Sequence, residues 1–425
     1  MGPRFRGGHP RWVASLTSES AHDWRVEFRR FWVSQSASQI VTQAIVVTVP
    51  LLAITYLGTP SDQIGLLSAL QYAPVLIITP LLGAYVDGVR RRPLMVGAHL
   101  ARGLIFFAAT VIFAIGAMST HVLMLLVLLA GIFTAAFDVA IQTFVPNTVP
   151  RDGLIWANSR IQGSLSFAQV LGPLLGAGLI AIGTPWPATA LFAVGFFFAA
   201  ALLLRSRAIE IIQPRQTQPF FSRLTEGLRI ALLSRVLRTL LISSTWFNMF
   251  EQAFMATFLV FAVRSVGLDS AAVALILGAG AVGAVVGAAV SGWASKVSLR
   301  PVPRLLAYSG ASAVAPIALG GLQSSGFATI AIAVGVFFVY GFGLTAYNVE
   351  AISMRQRNMP EGAQGKTGAA YRMFAYGALA LGGLLSAALV GSFGLQVSMY
   401  AATGLLAAGW LALLPVYIRG LRAAL

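Results

Sequence analysis

The sequence predicts an all-α integral membrane protein of twelve transmembrane helices, arranged as two related six-helix bundles. Three observations carry this prediction. Hydrophobic residues make up 57% of the 425 positions and charged residues 10%. A soluble domain cannot bury so much apolar side chain, because its surface needs polar cover, whereas a bilayer accepts it as solvent. Twelve apolar runs follow one another, each near the roughly 20 residues that cross a hydrocarbon core. The runs divide six and six about one long polar stretch.

The first set falls at 31–57, 63–86, 94–118, 122–146, 155–182 and 187–205, and the second at 239–263, 271–295, 304–323, 327–353, 367–391 and 395–418. The expected organisation is a polar tail over 1–30, a bundle over 31–205, a linker over 206–238, a second bundle over 239–418 and a short tail over 419–425. The linker carries Pro214 and Pro219. In it Phe220, Phe221, Leu224, Leu228 and Ala231 recur at helical spacing among Arg223, Glu226 and Arg229, as in an amphipathic helix lying on a membrane surface. No short apolar core with a small-residue cleavage site precedes the first run, so no cleaved signal peptide is expected.

Net charge is +16, a value that in a soluble protein points to nucleic acid. Its distribution argues otherwise. All but two of the 29 basic residues fall in the tails, the linker and the alternate loops that share one side with them. The loops of the other side, near Gly58–Asp62, Ser119–His121, Gly183–Pro187, Ser324–Gly326 and Ser392–Gly394, hold none. This is the positive-inside pattern, with both termini cytoplasmic, and nucleic acid is excluded as a partner. The exceptions are Arg102, inside the third run, and Arg264. There is no Cys, and His9, His22, His99 and His121 are far apart, so no metal or other cofactor is expected. No phosphate-binding loop or catalytic cluster is present, and the chain is not expected to be an enzyme.

The halves resemble each other at an offset of 210. Gly131-Ile132-Phe133-Thr134-Ala135-Ala136-Phe137-Asp138-Val139 aligns with Gly341-Phe342-Gly343-Leu344-Thr345-Ala346-Tyr347-Asn348-Val349. Gly, Ala, an aromatic, an Asx and Val recur in phase. Pro150 and Pro360 follow each Asx at the same distance. A duplicated bundle places a binding site between its halves.

Gly83-Ala84-Tyr85-Val86-Asp87-Gly88-Val89-Arg90-Arg91-Arg92 resembles the signature loop of the major facilitator superfamily, G-x-x-x-D-R/K-x-G-R/K-R/K, with Gly88 and Arg90 departing from it. Phe137-Asp138-Val139-Ala140, Pro146-Asn147, Val149-Pro150-Arg151-Asp152, Leu154 and Ala157-Asn158 resemble a branch that includes enterobactin-exporter-like and macrolide-efflux-like proteins. Arg355-Gln356, Met359-Pro360-Glu361, Gly365-Lys366, and Trp32, Gln35 and Ser38 fit the same branch. Val139 and Ile141 stand where that branch often has Pro and Arg. The resemblance implies a secondary transporter working as a monomer in a bacterial cytoplasmic membrane, with a small-molecule substrate, protons and the lipid bilayer as its partners.

The resemblance also assigns roles. Gly83, Asp87, Arg90, Arg91 and Arg92 form the gate loop. Asp87 is expected to face the N-terminus of helix eleven, where a carboxylate meets positive partial charge, and Arg91 to pair with Asp138. Gly172, Pro173 and Gly176 of helix five resemble part of the antiporter motif G-P-x-x-G-G, and with Gly283 and Gly287 of helix eight they are candidates for close helix packing. Helices one, four, seven and ten line the cavity by resemblance. Gln39, Gln43, Phe137, Asn248, Met255, Tyr340, Tyr347 and Asn348 are therefore the candidate substrate contacts. Such a lining suits a bulky amphiphilic or cationic molecule.

Acids inside the membrane are costly and are functional candidates by default. Glu251 lies near the middle of helix seven, with Asn248 and Met255 on its face. It is the first candidate for a proton carrier and Asp138 the second. A Glu held by hydrogen bonds without titrating is the plain alternative. Glu350 is expected near the basic cluster at the end of helix ten, and Arg102 to snorkel or pair structurally. The expected activity is proton-coupled efflux. The alternatives are an importer or facilitator of a small nutrient, or a sensor or assembly protein that does not transport.

Overall fold

A computed structural model describes all residues except 1–10, 86–88, 151–152, 182, 208–209, 211–219, 297–300, 361–363 and 422–425. The described residues form helices throughout. In chain order these are α1 (Arg11–Thr55), α2 (Ser61–Tyr85), α3 (Arg91–Ala114), α4 (Thr120–Thr148), α5 (Leu154–Ala181), α6 (Trp186–Arg205), α7 (Phe220–Leu233), α8 (Arg235–Arg264), α9 (Ser270–Lys296), α10 (Pro301–Val314), α11 (Phe327–Asn358) and α12 (Gln364–Leu421). A 3-10 segment, Ala315–Gly321, extends α10. Pro316 lacks the N–H that an α-helical bond would need, which accounts for the change of winding there. α12 holds two spans, because Gly394 adopts φ 74° and ψ 172° and turns the chain back.

Ten stretches are long and apolar enough to cross a membrane, and one of them, Ala370–Arg419, is 50 residues long and contains the Gly394 turn. With α2 the arrangement is twelve helices in two bundles. The first helix reaches further than the apolar run alone implies. It begins at Arg11, and Glu27 anchors it before residue 31. Glu27 bonds Arg30 at 2.7 Å, accepts from Ser206 Oγ at 2.8 Å and accepts from the Arg207 amide.

Glycines in repeat-equivalent positions explain why the two halves share a pattern. A Cβ at Gly131 would meet the Gln71 carbonyl oxygen at 2.9 Å, and one at Gly341 would meet the Gly280 carbonyl oxygen at 2.0 Å. Each glycine lets one helix lie on the backbone of another, α4 on α2 and α11 on α9. Gly283 and Gly287 do the same: a Cβ would meet the carbonyl oxygens of Phe338 and Phe342 at 2.1 and 2.3 Å. Their partner is therefore α11 in their own half. Gly172 and Gly176 press on α1, where a Cβ would meet Gln43 Cβ at 2.4 Å and Thr48 Oγ1 at 2.6 Å. Across the seam, α5 meets α9 where Leu174 approaches Gly278.

In the linker helix α7 part of the apolar surface is covered by protein. Leu224 and Ala231 are buried, and Ala231 packs with Leu237, Leu241, Met359 and Tyr371. The membrane is not the only apolar surface within reach of a linker helix; the end of the second bundle supplies one.

The two ends of the seam differ. Most basic residues cluster at one end, here the basic end; the other is the neutral end. At the neutral end one apolar cluster joins both halves, with Leu51, Leu52, Ile64 and Leu67 from the first and Phe258, Phe261, Leu268, Ile276 and Met399 from the second. Gly65 and Gly383 bring α2 and α12 into backbone contact there. At the basic end each half closes its own cluster. Phe28, Phe31, Met95, Phe144 and Leu203 belong to the first, and Leu240, Leu305, Tyr308, Tyr347 and Tyr417 to the second.

Candidate functional site

Glu251 lies midway along α8, where apolar residues on both sides leave the carboxylate few partners. Its described partner comes from α11: the Tyr340 hydroxyl donates to Glu251 Oε1 at 2.6 Å. Tyr72 of α2, in the other half, interacts with it electrostatically. Tyr340 is packed edge-on against Phe254 and Phe337, at centroid distances of 5.8 and 5.9 Å. The ring is thus fixed by packing and its hydroxyl aimed by it. Two candidates from separate helices are brought together, and the acid's partner is a phenol rather than a cation.

The neighbouring candidates divide by burial. Gln39, Gln43, Asn248, Met255 and Asn348 remain half-buried. Asn248 Nδ2 donates to the Ala375 carbonyl at 2.9 Å, tying α8 to α12. Phe137 and Tyr347, at 2% and 3% exposure, are inside their own halves. Phe137 packs at a tilt against His99, with centroids 4.4 Å apart, and lies 5.2 Å from the Arg102 guanidinium. The Tyr347 hydroxyl sits 3.4 Å from Ser243 Oγ and accepts from Tyr417 at 3.4 Å. Aromatic residues at these repeat positions serve core packing in this conformation.

Asp138 interacts electrostatically with Arg372 of α12, across the seam, and with Arg102 of its own half. Arg102 is 1% exposed. Its Nη2 lies 2.7 Å from His99 Nδ1 and 3.4 Å from Ser38 Oγ, and its guanidinium stacks 4.3 Å from the Phe196 ring. A guanidinium held by two rings, an imidazole and hydroxyls is a fixed structural charge and does not snorkel.

In the signature loop Asp87 lies outside the described residues, as do the surroundings of Gly83. Arg90 is exposed, Arg91 buried and Arg92 half-buried. The described carboxylate beside Arg91 is Glu210, from the linker. Its oxygens accept from the amides of Arg91 and Arg92 at 2.7 and 2.8 Å, and Oε2 lies 4.0 Å from Arg91 Nη1. A carboxylate at the first turn of α3 satisfies amides that have no helical partner and complements the helix dipole. Arg92 in turn donates to the carbonyls of Leu203 and Leu204 at 3.1 and 2.5 Å, on the last turn of α6. Glu210 is 119 residues from Arg91, and no periodicity announces it. Glu350 pairs with Arg304 at 3.0 Å and accepts from Ser291 at 3.3 Å, so it does face the basic end.

Arg264, the exception to the charge rule at the neutral end, also gains an explanation. At the last turn of α8 it reaches across the seam to the turn between α1 and α2. It donates to Ser61 Oγ at 2.8 Å and to the Thr59 carbonyl at 2.5 Å.

Twelve helices in two glycine-packed halves, closed at one end and carrying an acid at the seam, define a two-bundle membrane protein. The profile described as Major Facilitator Superfamily matches residues 31–383, and the chain belongs to that superfamily of membrane transporters. Among curated proteins it is 22% identical over 232 residues to macrolide efflux protein A of Streptococcus pyogenes, a match covering 53% of this chain and 56% of the relative. The chain thus spans about half the length of that relative. Among solved structures it resembles a bacterial homologue of the iron transporter ferroportin in two states. The inward-facing structure gives a TM-score of 0.69 at 16% identity, over 93% of this chain and 98% of the other. The outward-facing structure gives 0.61 at 17%, over 93% and 99%. The nucleoside transporter NupG gives 0.66 at 12%, over 92% and 99%.

Proposed function

We propose that the protein exports a bulky amphiphilic small molecule by alternating access, coupled to protons carried by Glu251. The observation that carries the reading is the Tyr340–Glu251 hydrogen bond in a largely apolar wall. A charge at the centre of a membrane helix costs about 2.5–3.5 kcal/mol on insertion scales. A phenol hydrogen bond offsets part of this, and protonation removes the rest. A neutral Glu251 favours a sealed, dry seam and an ionised one a hydrated seam, and that difference is what links proton movement to conformation. The macrolide efflux relative supports export. The nucleoside transporter among the structural neighbours keeps uptake of a small nutrient as the second reading.

Glu251→Gln is the test. In proteoliposomes it should abolish concentration of substrate driven by a pH gradient while keeping downhill exchange. A variant that still concentrates substrate as well as the parent sinks the role. Transport in everted membrane vesicles separates export from uptake.

The orientation proposed is both termini and the linker in the cytoplasm of a bacterial cell, with this conformation facing inward. Closure at the neutral end and the higher score against the inward-facing neighbour support it. Because the chain lacks Cys, single cysteines report topology directly. Thr184→Cys should react with an impermeant maleimide on intact cells and Ser222→Cys should not. The reverse pattern overturns the orientation.

A further inference from the structure

The accessible stripe of α1 does not end at the amides of the seam. Arg25, Arg29, Trp32, Ser36, Gln39 and Gln43 follow one another at alternating spacings of four and three, which places them on one face of the helix. All six are exposed or half-buried. Glu27, Phe28, Phe31, Ser34, Gln35 and Ser38, on the other faces, are buried. The stripe puts the candidate substrate contacts Gln39 and Gln43 on the same face of α1 as the basic end of the first half, with Gly172 of α5 packed against Gln43.

There it opens into a pocket of about 260 Å³ between α1 and α5, lined by Arg25, Phe28, Arg29, Trp32, Trp156 and Arg160. The walls are built. The Arg160 guanidinium lies 4.4 Å from the centre of the Trp156 ring and 5.5 Å from that of Trp32. Trp32 Nε1 donates to the Arg160 carbonyl at 3.1 Å, fixing one helix to the other at this level. Trp156 is held in turn by Trp24, at 5.9 Å edge-on, and Phe28, at 5.3 Å. Arginines that only record topology need no such indole framework.

We propose that this pocket is a substrate subsite at the basic mouth of the transport path, recognising an organic anion with a flat apolar body. Three arginines supply charge and fork-shaped donors for a carboxylate, sulfonate or phosphate group. The indoles supply a face for an aromatic or other planar part. The proposal rests on the reading of the chain as a transporter of amphiphiles, and narrows it to those carrying negative charge.

Binding, rather than transport, tests it, so its failure is separable from failure of the coupling role of Glu251. The probes are 8-anilino-1-naphthalenesulfonate and its uncharged analogue N-phenyl-1-naphthylamine, offered to the full chain in phosphatidylcholine nanodiscs. Energy transfer from tryptophan gives the readout. The sulfonate should bind saturably. Arg160→Gln should weaken it about tenfold, the loss expected for one charge-assisted hydrogen bond. Arg29→Gln should act in the same direction. Neither variant should alter the uncharged probe. Both arginines are exposed, so the variants should elute as the parent does in size exclusion. Equal sulfonate binding in parent and variants overturns the proposal. Displacement of the sulfonate by phosphatidylglycerol in the same discs would make the pocket a lipid headgroup site and overturn it equally.

Discussion

Phe137 and Tyr347 hold equivalent places in the two halves, and so do Asp138 and Asn348, yet the halves use them differently. In the first half Phe137 covers a buried guanidinium, and Asp138 supplies opposite charge to Arg102. In the second the same two places are neutral, and the Tyr347 hydroxyl bonds Ser243 and Tyr417. Midway along α8 the second half instead carries Glu251, with a phenol as its partner. One copy of the scaffold thus carries an acid matched by arginines, Arg372 from across the seam and Arg102 from its own half. The other carries an acid whose charge no described cation matches. A matched cluster resists change because every departure leaves a bare charge. An acid bonded to a phenol can change its protonation without stranding a partner. The duplication supplies two similar frames, and the coupling role we propose belongs to Glu251 in the second.

The contrast predicts opposite responses to neutralisation. Arg102→Met should cost the first half about 3–5 kcal/mol, because Asp138 and His99 lose the group between them while still buried. The expected result is a large fall in thermal stability or loss of folded protein. Arg102→Lys should rescue only in part, since an ammonium cannot reproduce the stacked fork. Glu251→Gln, by comparison, should leave stability near that of the parent. A stable, transporting Arg102→Met variant would mean that the first half is no more matched than the second.

A smaller difference separates the paired glycines. Gly341→Ala pushes a Cβ to within 2.0 Å of a carbonyl oxygen, against 2.9 Å for Gly131→Ala. Backbone on both sides leaves little to yield. Overpacking of this kind costs about 1–3 kcal/mol, and the second half should lie at the upper end. Melting temperatures of the two variants give the order; equal shifts would show that α9 moves away from α11 as easily as α2 does from α4.

The sequence made the twelve spans legible because lipid removes the need for a polar surface, so each span reads as a continuous apolar run. It also exposed the individual acids, since Glu251 and Asp138 interrupt such runs. Partners were less legible. The four-residue spacing of Gly283 and Gly287 marks a flat helix face, but not whether α5 or α11 lies on it. Glu210 belongs to a polar linker in which one more carboxylate carries no signal, and only the return of the chain from α6 brings it to Arg91. Tyr340 and Glu251 were each visible, but their hydrogen bond depends on the crossing of α8 and α11.

Arg264 gives the last and smallest test, at the closed end of the seam. Its charge sits where the positive-inside pattern allows none, so some interaction has to offset its placement. The hydrogen bonds to Ser61 and Thr59 link the second half to the first, beside a Thr59–Thr120 bond of 2.8 Å within the first. They form only while the neutral end is closed, because they span the seam, and so they favour that state alone. Arg264 itself is exposed, and its net contribution is about 1 kcal/mol, roughly a fivefold bias between closed and open states. Ile64 is buried in the cluster that joins the halves at this end, and Ile64→Cys should report opening through its rate of reaction with an impermeant maleimide. Adding Arg264→Gln should raise that rate several-fold, with Arg264→Lys in between because an ammonium retains charge but not the fork. If the rate does not move, the apolar cluster alone holds the neutral end shut.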